Sequence, residues 1–142
     1  MPAINFFNED ISFTLRNKRK LRAWLHQISL AQGKEIIDLN YIYCSDNYLL
    51  QINKEYLNHD YFTDIITFDN NDGIEETIIA DLYISIDRVR DNAKTLDTYF
   101  DNELHRVMVH GLLHLLGQND KTEAEQKEMT KREEASLSLL QI

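Results

Sequence analysis

Apolar residues recur along the chain with the period of a helix in some segments and of a strand in others. Segment 17–32 has an apolar residue every three or four positions, which predicts an amphipathic helix that ends at Gly33. Segment 36–44 alternates in part between apolar and polar residues and predicts a strand with one face towards the core. A short apolar run at 4–7 predicts a first strand. The chain is therefore expected to begin as strand, helix, strand.

The middle of the chain predicts a helix followed by a pair of strands. Segment 45–57 carries the helical pattern, and either Ser45 or Asp46 can cap its first turn. Segments 63–68 and 77–86 are rich in β-branched residues and are separated by an Asn-Asn-Asp-Gly turn sequence. This arrangement favours pairing of the two strands as a hairpin.

The second half of the chain predicts three more helices. Segments 88–95 and 100–116 carry helical patterns, and a last helix begins at Thr122 and runs towards Leu140. Thr122 and Glu125 have the spacing of a capping box, which marks that helix start. The order of elements predicts an α+β fold in which a small mixed β-sheet packs against several helices.

The predicted helix 100–116 has two distinct faces. Its core stripe consists of Leu104, Met108, Gly111, Leu112 and Leu115. The adjoining face consists of Glu103, Val107, His110 and His114. Because the histidines lie beside the apolar stripe, we expect them to line the wall of a cleft.

Length and composition limit the class of protein. A chain of 142 residues with no repeat or linker fits a single domain, 1–142, with one core. The single cysteine, Cys44, excludes an internal disulfide and is expected to be a small buried side chain rather than a nucleophile. No segment has the length and apolarity of a membrane span, and the first residues lack a signal-peptide pattern. A cytoplasmic location without membrane association is the resulting expectation.

The charge distribution bears on nucleic-acid binding. A net charge of −9 argues against indiscriminate phosphate binding, which depends largely on Lys and Arg. However, a basic cluster lies near the start of the chain: Arg16, Lys18, Arg19, Lys20 and Arg22. Such a patch on an acidic body would allow binding to structured RNA, although a solvated helix face is an equally good explanation.

The segment that carries recognisable chemistry lies at the end of helix 100–116. His110 and His114 are four residues apart and therefore share one helix face, where their nitrogens can approach a common point. Gly117 can adopt the left-handed conformation that ends a helix, which would return Asp120 towards the histidines. Paired histidines alone are more often ordinary surface or core residues, but the added glycine and carboxylate favour a metal site. Three protein ligands leave a position for water, as in catalytic zinc sites.

The spacing leaves two other functions open. Some zinc peptidases share it, but they carry a glutamate general base directly after the first histidine, where this chain has Gly111. A non-catalytic ribosome-associated binding module with a structural metal is the second alternative. Structural zinc normally has four protein ligands, and the spacing offers three.

Three segments together resemble one protein family. They are His-Gly-Leu-Leu-His-Leu-Leu-Gly at 110–117, Thr-Asp-Ile-Ile-Thr-Phe at 63–68 and Ala-Asp-Leu-Tyr-Ile-Ser at 80–85. In order and spacing, the chain from about 41 to 128 resembles the YbeY family of bacterial metal-dependent endoribonucleases. The resemblance implies a zinc hydrolase that cuts single-stranded RNA, acts in maturation of the 16S ribosomal RNA 3′ end and in ribosome quality control, and has ribosomal RNA or the small ribosomal subunit as its partner.

This chain departs from the family pattern at two positions. Asp120 stands where the family usually has a third histidine ligand. Its carboxylate can still bind zinc but is a harder ligand than imidazole. We therefore expect one Zn²⁺ ion, with another divalent metal as the alternative. Leu57 stands where the family commonly has an arginine suited to a phosphate contact. We therefore expect His59 or Arg106 to contact phosphate instead.

A mechanism follows as a hypothesis. Zinc held by His110, His114 and Asp120 would lower the pKa of its water and polarise a phosphoryl oxygen. The candidates for orienting the histidine rings are the carboxylates of Glu103, Asp64 and Asp81, although structural hydrogen bonding or turn capping is the more common role for each of them individually. The sequence identifies no general base, so attack by water or by the RNA 2′-hydroxyl stays open.

Overall fold

The computed structural model describes residues 3–71 and 76–142, and strands and helices alternate along both parts. In chain order, the elements are β1 (Ala3–Asn8), α1 (Lys18–Ala31), β2 (Glu35–Cys44), α2 (Asp46–Leu57), β3 (Ile65–Asp69), β4 (Thr77–Ser85), α3 (Ile86–Thr95), α4 (Phe100–Leu115) and α5 (Glu123–Ser138). No helix in these parts of the chain is long and apolar enough to cross a membrane.

The strands form one mixed sheet in the order β1-β2-β4-β3. β1 and β4 both run parallel to β2, whereas β3 pairs antiparallel with β4 and lies at the sheet edge. The predicted hairpin pairing is thus confirmed, with Ile65 opposite Ile84 and Thr67 opposite Leu82. The predicted turn ends at Gly73 and lies partly outside the described residues. The mixed sheet and the α+β class agree with the sequence-based prediction.

Helices cover both faces of the sheet. Because successive side chains of a strand point to opposite faces, adjacent residues of β3 belong to different cores. Ile65 packs against the main core, which α1 and α4 share, and Ile66 packs under α2 in a smaller cluster with Cys44 and Leu49. Cys44 is fully buried, and burial raises the pKa of its thiol to about 12, so it is an inert core residue as predicted.

Side-chain caps determine where several helices begin. The Ser45 hydroxyl caps α2 by accepting a hydrogen bond from the backbone of Tyr48. Ser85 caps α3 in the same way through Arg88, so this helix begins at Ile86, two residues before the predicted start. The predicted capping box of α5 is present at Thr122.

Candidate metal centre

The end of α4 is built by a glycine-dependent reversal of the chain. Gly117 has φ +100°, a conformation that costs residues with a Cβ atom considerable strain. Its N–H donates to the carbonyl of His114 at 3.0 Å, and the N–H of Gln118 donates to that of Leu113 at 3.0 Å. These two bonds are those of a Schellman motif, which satisfies the last helical carbonyls. The reversal brings Asp120 back to the helix end, as the sequence predicted.

The predicted ligand side chains converge at this point. The Nε2 atoms of His110 and His114 lie 3.1 Å apart, and Oδ2 of Asp120 lies 3.4 Å from each of them. All three side chains are partly exposed, so their donor atoms line a surface cleft rather than an enclosed core.

The dimensions of this donor triangle fit a divalent metal. Zinc binds imidazole nitrogen and carboxylate oxygen at about 2.0–2.2 Å, and tetrahedral geometry then separates ligand atoms by about 3.3–3.6 Å. The observed separations of 3.1 and 3.4 Å lie close to that range. Within residues 3–71 and 76–142, no fourth His, Cys, Asp or Glu joins the three at ligand distance. The donor set therefore fits an ion with an open coordination position.

A buried carboxylate from another helix orients the first histidine. Oε2 of Glu133, on α5, lies 2.5 Å from Nδ1 of His110. This is the ring nitrogen that does not point to the donor triangle. A carboxylate at this place favours the tautomer with the proton on Nδ1, which leaves Nε2 free to bind metal. Glu133 is not among the site residues expected from the sequence. The sequence does contain a signal, because Glu133 follows the apolar Met129 by four residues and therefore shares its helix face, which is the buried face of α5.

A second ion pair anchors this carboxylate. Arg106 binds Glu103 through Nε at 2.7 Å and through Nη2 at 2.6 Å, and its Nη1 lies 3.2 Å from Glu133. Hydrogen bonding by Glu103 raises the pKa of Arg106 above its usual range. Glu103, a candidate histidine partner, instead directs its carboxylate to the guanidinium, which is the structural hydrogen-bonding role given as its alternative. Arg106 itself is committed to two carboxylates, and its phosphate contact stays a prediction.

The other two carboxylates considered as histidine partners lie in different places. Asp64 lines the same cleft as the histidines and accepts a hydrogen bond from Asn92 at 3.2 Å. Burial raises the pKa of Asp64, and the charge of Arg106 opposes that shift in part. Asp81 binds the side-chain amides of Asn40 and Asn70 outside the cleft, so it is not a histidine partner and has the structural hydrogen-bonding role expected of it as the alternative.

The three donors lie in a cleft of about 420 Å³ between α4, β3 and the segment after α2. His59 and Leu57, both singled out from the sequence, line it together with Tyr61. The rings of His59 and Tyr61 stack at a centroid distance of 5.1 Å, and Nδ1 of His59 lies 3.0 Å from the tyrosine hydroxyl. No Lys or Arg is among the described residues that line this cleft.

Packing explains Gly111. A Cβ atom at this position would lie 2.3 Å from Cδ2 of Leu82 and 2.8 Å from Cδ1 of Ile65, closer than side chains approach each other. The residue after His110 therefore faces the sheet, where α4 packs closely on β3 and β4. A peptidase-type glutamate at this position would require the side-chain ends of Leu82 and Ile65 to shift.

Comparison with known proteins places the chain among close relatives. A family model described as "Endoribonuclease YbeY" matches residues 3–141. A Cytophaga hutchinsonii protein named Endoribonuclease YbeY is 52% identical over 96% of this chain and 94% of its own length. A Christiangramia forsetii protein of the same name is 45% identical over 98% and 95%. The solution structure of TM1509 from Thermotoga maritima is similar in fold, with a TM-score of 0.66 at 23% identity, and the match covers 95% of this chain and 87% of TM1509.

Proposed function

Because the chain belongs to the YbeY family, we propose that it is a metal-dependent endoribonuclease. The observation that carries the proposal is the convergence of His110, His114 and Asp120 on one point of an open cleft. The relatives named Endoribonuclease YbeY match nearly the whole chain, which supports the proposal for the chain as a whole.

The proposed cofactor is one zinc ion held by His110, His114 and Asp120, with another divalent metal as the alternative. When bound, the ion lowers the pKa of water and offsets the negative charge of the phosphoryl group. Imidazole suits zinc, whereas a carboxylate oxygen also suits harder ions such as Mn²⁺. The mixed donor set of this chain is therefore expected to discriminate less between these metals than three histidines would.

Several side chains of the cleft have proposed roles around the ligands. Glu133 keeps the proton of His110 on Nδ1, so that Nε2 presents its lone pair to the cleft. Arg106 holds Glu133 in place and adds positive charge close to the site. Asp64 also lines the cleft but is not one of the three proposed ligands. His59 lies at the rim, where RNA would enter. Arg106 and His59 keep the phosphate contacts proposed for them from the sequence.

The proposed substrate is single-stranded RNA, and the proposed process is maturation of ribosomal RNA, at the 16S 3′ end, with a part in ribosome quality control. The partner would then be ribosomal RNA or the small ribosomal subunit, and the location cytoplasmic. The support is membership of the family and the names of the relatives. Gly111 argues against the peptidase alternative, and the open three-donor set argues against a purely structural metal.

The proposal is tested with purified protein loaded with zinc. We expect cleavage of single-stranded RNA, less cleavage of duplex RNA, and no cleavage of casein. His114→Ala should lose both bound zinc, measured by elemental analysis, and RNA cleavage. His26→Ala is the matched control because His26 lies on α1 and does not line the cleft. Full RNA cleavage by a metal-free His114→Ala protein would refute the proposal, as would proteolysis of casein that depends on His110.

A further inference from the structure

An aromatic pair is presented at the rim of the metal cleft. Tyr61 is 56% exposed, and its ring lies nearly parallel to that of His59, with an interplanar angle of 22°. Exposure of a large aromatic side chain gives up the stability that its burial would provide. Both residues line the cleft that holds the metal donors, so the aromatic pair shares one cleft with the site where RNA would be cut.

The segment that carries the pair is held by a buried side chain. Asn53 is 1% exposed, and its Nδ2 donates to the carbonyl of Tyr61 at 2.9 Å. Its own backbone carbonyl accepts from the N–H of His59 at 3.1 Å. The hydrogen bond between the Tyr61 hydroxyl and Nδ1 of His59 is a third constraint on this segment. An aromatic surface that is already ordered loses little conformational entropy when a ligand binds.

The chemistry of the cleft wall is unsuited to binding the RNA backbone by charge alone. Its described lining contains neither Lys nor Arg, and Leu57, 41% exposed, stands beside the aromatic pair. Phosphate affinity depends on such cations, whereas nucleobases stack on aromatic faces regardless of charge. Apart from the phosphate contacts proposed for His59 and Arg106, the rim therefore offers RNA an aromatic face on which a nucleobase can stack.

We propose that Tyr61, braced by His59, is a stacking platform for one unpaired nucleobase next to the metal centre. This proposal rests on the proposed endoribonuclease function and names how that site selects its substrate. Bases within a duplex are already stacked and paired, so an isolated aromatic shelf accepts a base only from a single strand. Preference for single-stranded RNA then follows from the cleft rim rather than from the metal ligands.

The test is binding of a single-stranded 2′-O-methyl oligoribonucleotide that contains one 2-aminopurine, whose fluorescence falls on stacking. The zinc-loaded full-length protein is used, and gel analysis verifies that the oligonucleotide stays intact. Tyr61→Ala is expected to weaken binding by roughly 5- to 150-fold, the range for loss of one base–aromatic stack, and to abolish the quenching. Tyr61→Phe keeps the ring but loses the hydroxyl contact with His59, so it should retain the quenching and bind more tightly than Tyr61→Ala.

Tyr99→Ala is the matched control, since Tyr99 is 86% exposed but lies at the opposite end of α4 from the metal donors. Unchanged affinity and quenching in Tyr61→Ala would overturn the platform. Equal losses in Tyr61→Phe and Tyr61→Ala would also overturn it, because the hydroxyl rather than the ring would then matter. Cleavage of unmodified RNA by the wild-type protein is measured in parallel. Absence of RNA cleavage would refute the proposed function. The oligonucleotide-binding measurements test the stacking platform independently of cleavage.

Discussion

Nδ1 of His110 lies 2.5 Å from Oε2 of Glu133, so α5 determines how a candidate metal ligand on α4 is oriented. The carboxylate is 6% exposed and also binds Arg106, which is held in turn by Glu103. This chain of contacts connects the packing of two helices to the position of one nitrogen atom. The last helix thus takes part in the candidate metal centre although it supplies none of the three donor atoms.

Replacement of Glu133 should weaken metal binding without removing a ligand. Glu133→Gln keeps the shape of the side chain but removes the charge that favours a proton on Nδ1 of His110. Loss of an outer-shell partner typically lowers metal affinity by about 10- to 100-fold, and we expect that range here. Calorimetric titration of the metal-free protein with zinc measures the change.

Glu134→Gln provides the control for this variant because Glu134 is the exposed neighbour on the same helix. Its zinc affinity should equal that of wild type. Circular dichroism spectra establish whether each variant is folded. Wild-type zinc affinity in a folded Glu133→Gln protein would contradict the orienting role.

The identity of the third ligand should set metal preference. Asp120→Ala removes one of three donors and should lose stoichiometric zinc, whereas Asp120→His supplies a nitrogen donor and should retain it. Since a carboxylate is the harder ligand, the wild-type protein should bind Mn²⁺ better relative to Zn²⁺ than Asp120→His does. Competition titrations with the two ions measure this ratio.

Lys121→Ala tests whether a change anywhere in this loop has the same effect, and it should leave both affinities unchanged. The prediction fails if Asp120→Ala keeps one zinc per chain. It also fails if Asp120→His and wild type discriminate equally between the two metals.

A single methyl group at position 111 should destabilise the fold. Alanine has a helix propensity about 1 kcal/mol better than glycine, but a Cβ here would overlap Cδ2 of the buried Leu82. Overpacking of this kind costs about 1–3 kcal/mol. Because the neighbour belongs to the fully buried sheet core, we expect a net loss of stability in Gly111→Ala, measured by urea unfolding.

Leu82→Ala provides the matching half of a double-mutant cycle. It removes the atom that would collide, so the double variant should lose less stability than the two single changes added together. Additive losses, or a Gly111→Ala protein as stable as wild type, would contradict close packing of α4 on the sheet.

Features encoded by neighbouring residues could be predicted from the sequence. The reversal at Gly117 and the capping box at Thr122 depend on contacts within a few residues, and both occur as expected. The histidine pair and Asp120 also lie within one turn and its loop, so their convergence followed from helix geometry. Resemblance of these segments to the YbeY family is confirmed by the match over residues 3–141.

Features that depend on distant residues could not be predicted in the same way. Glu133 lies 23 positions after His110 on a separate helix, and only the crossing of α4 and α5 brings them together. The same holds for Arg106, whose partner Glu133 became visible only in the fold. Asp81 is a candidate partner of the histidines by sequence, but its strand directs it towards Asn40 on the neighbouring strand. Periodicity shows which residues share a face, but it does not show which faces meet.

The salt dependence of RNA affinity should distinguish binding in the cleft from binding to the basic residues at the start of α1. Each phosphate contact on single-stranded nucleic acid contributes about −0.7 to the slope of log affinity against log salt concentration. A tetranucleotide confined to the cleft meets no lining Lys or Arg in the described part of the chain, so its slope should be no steeper than about −0.7. A longer strand that reaches the exposed Lys18, Arg19 and Lys20 should show a steeper slope. Replacing these three with glutamine should flatten the slope for the long strand and leave that for the tetranucleotide unchanged. A steep slope for the tetranucleotide would mean that phosphate charge, rather than base stacking, dominates binding in the cleft.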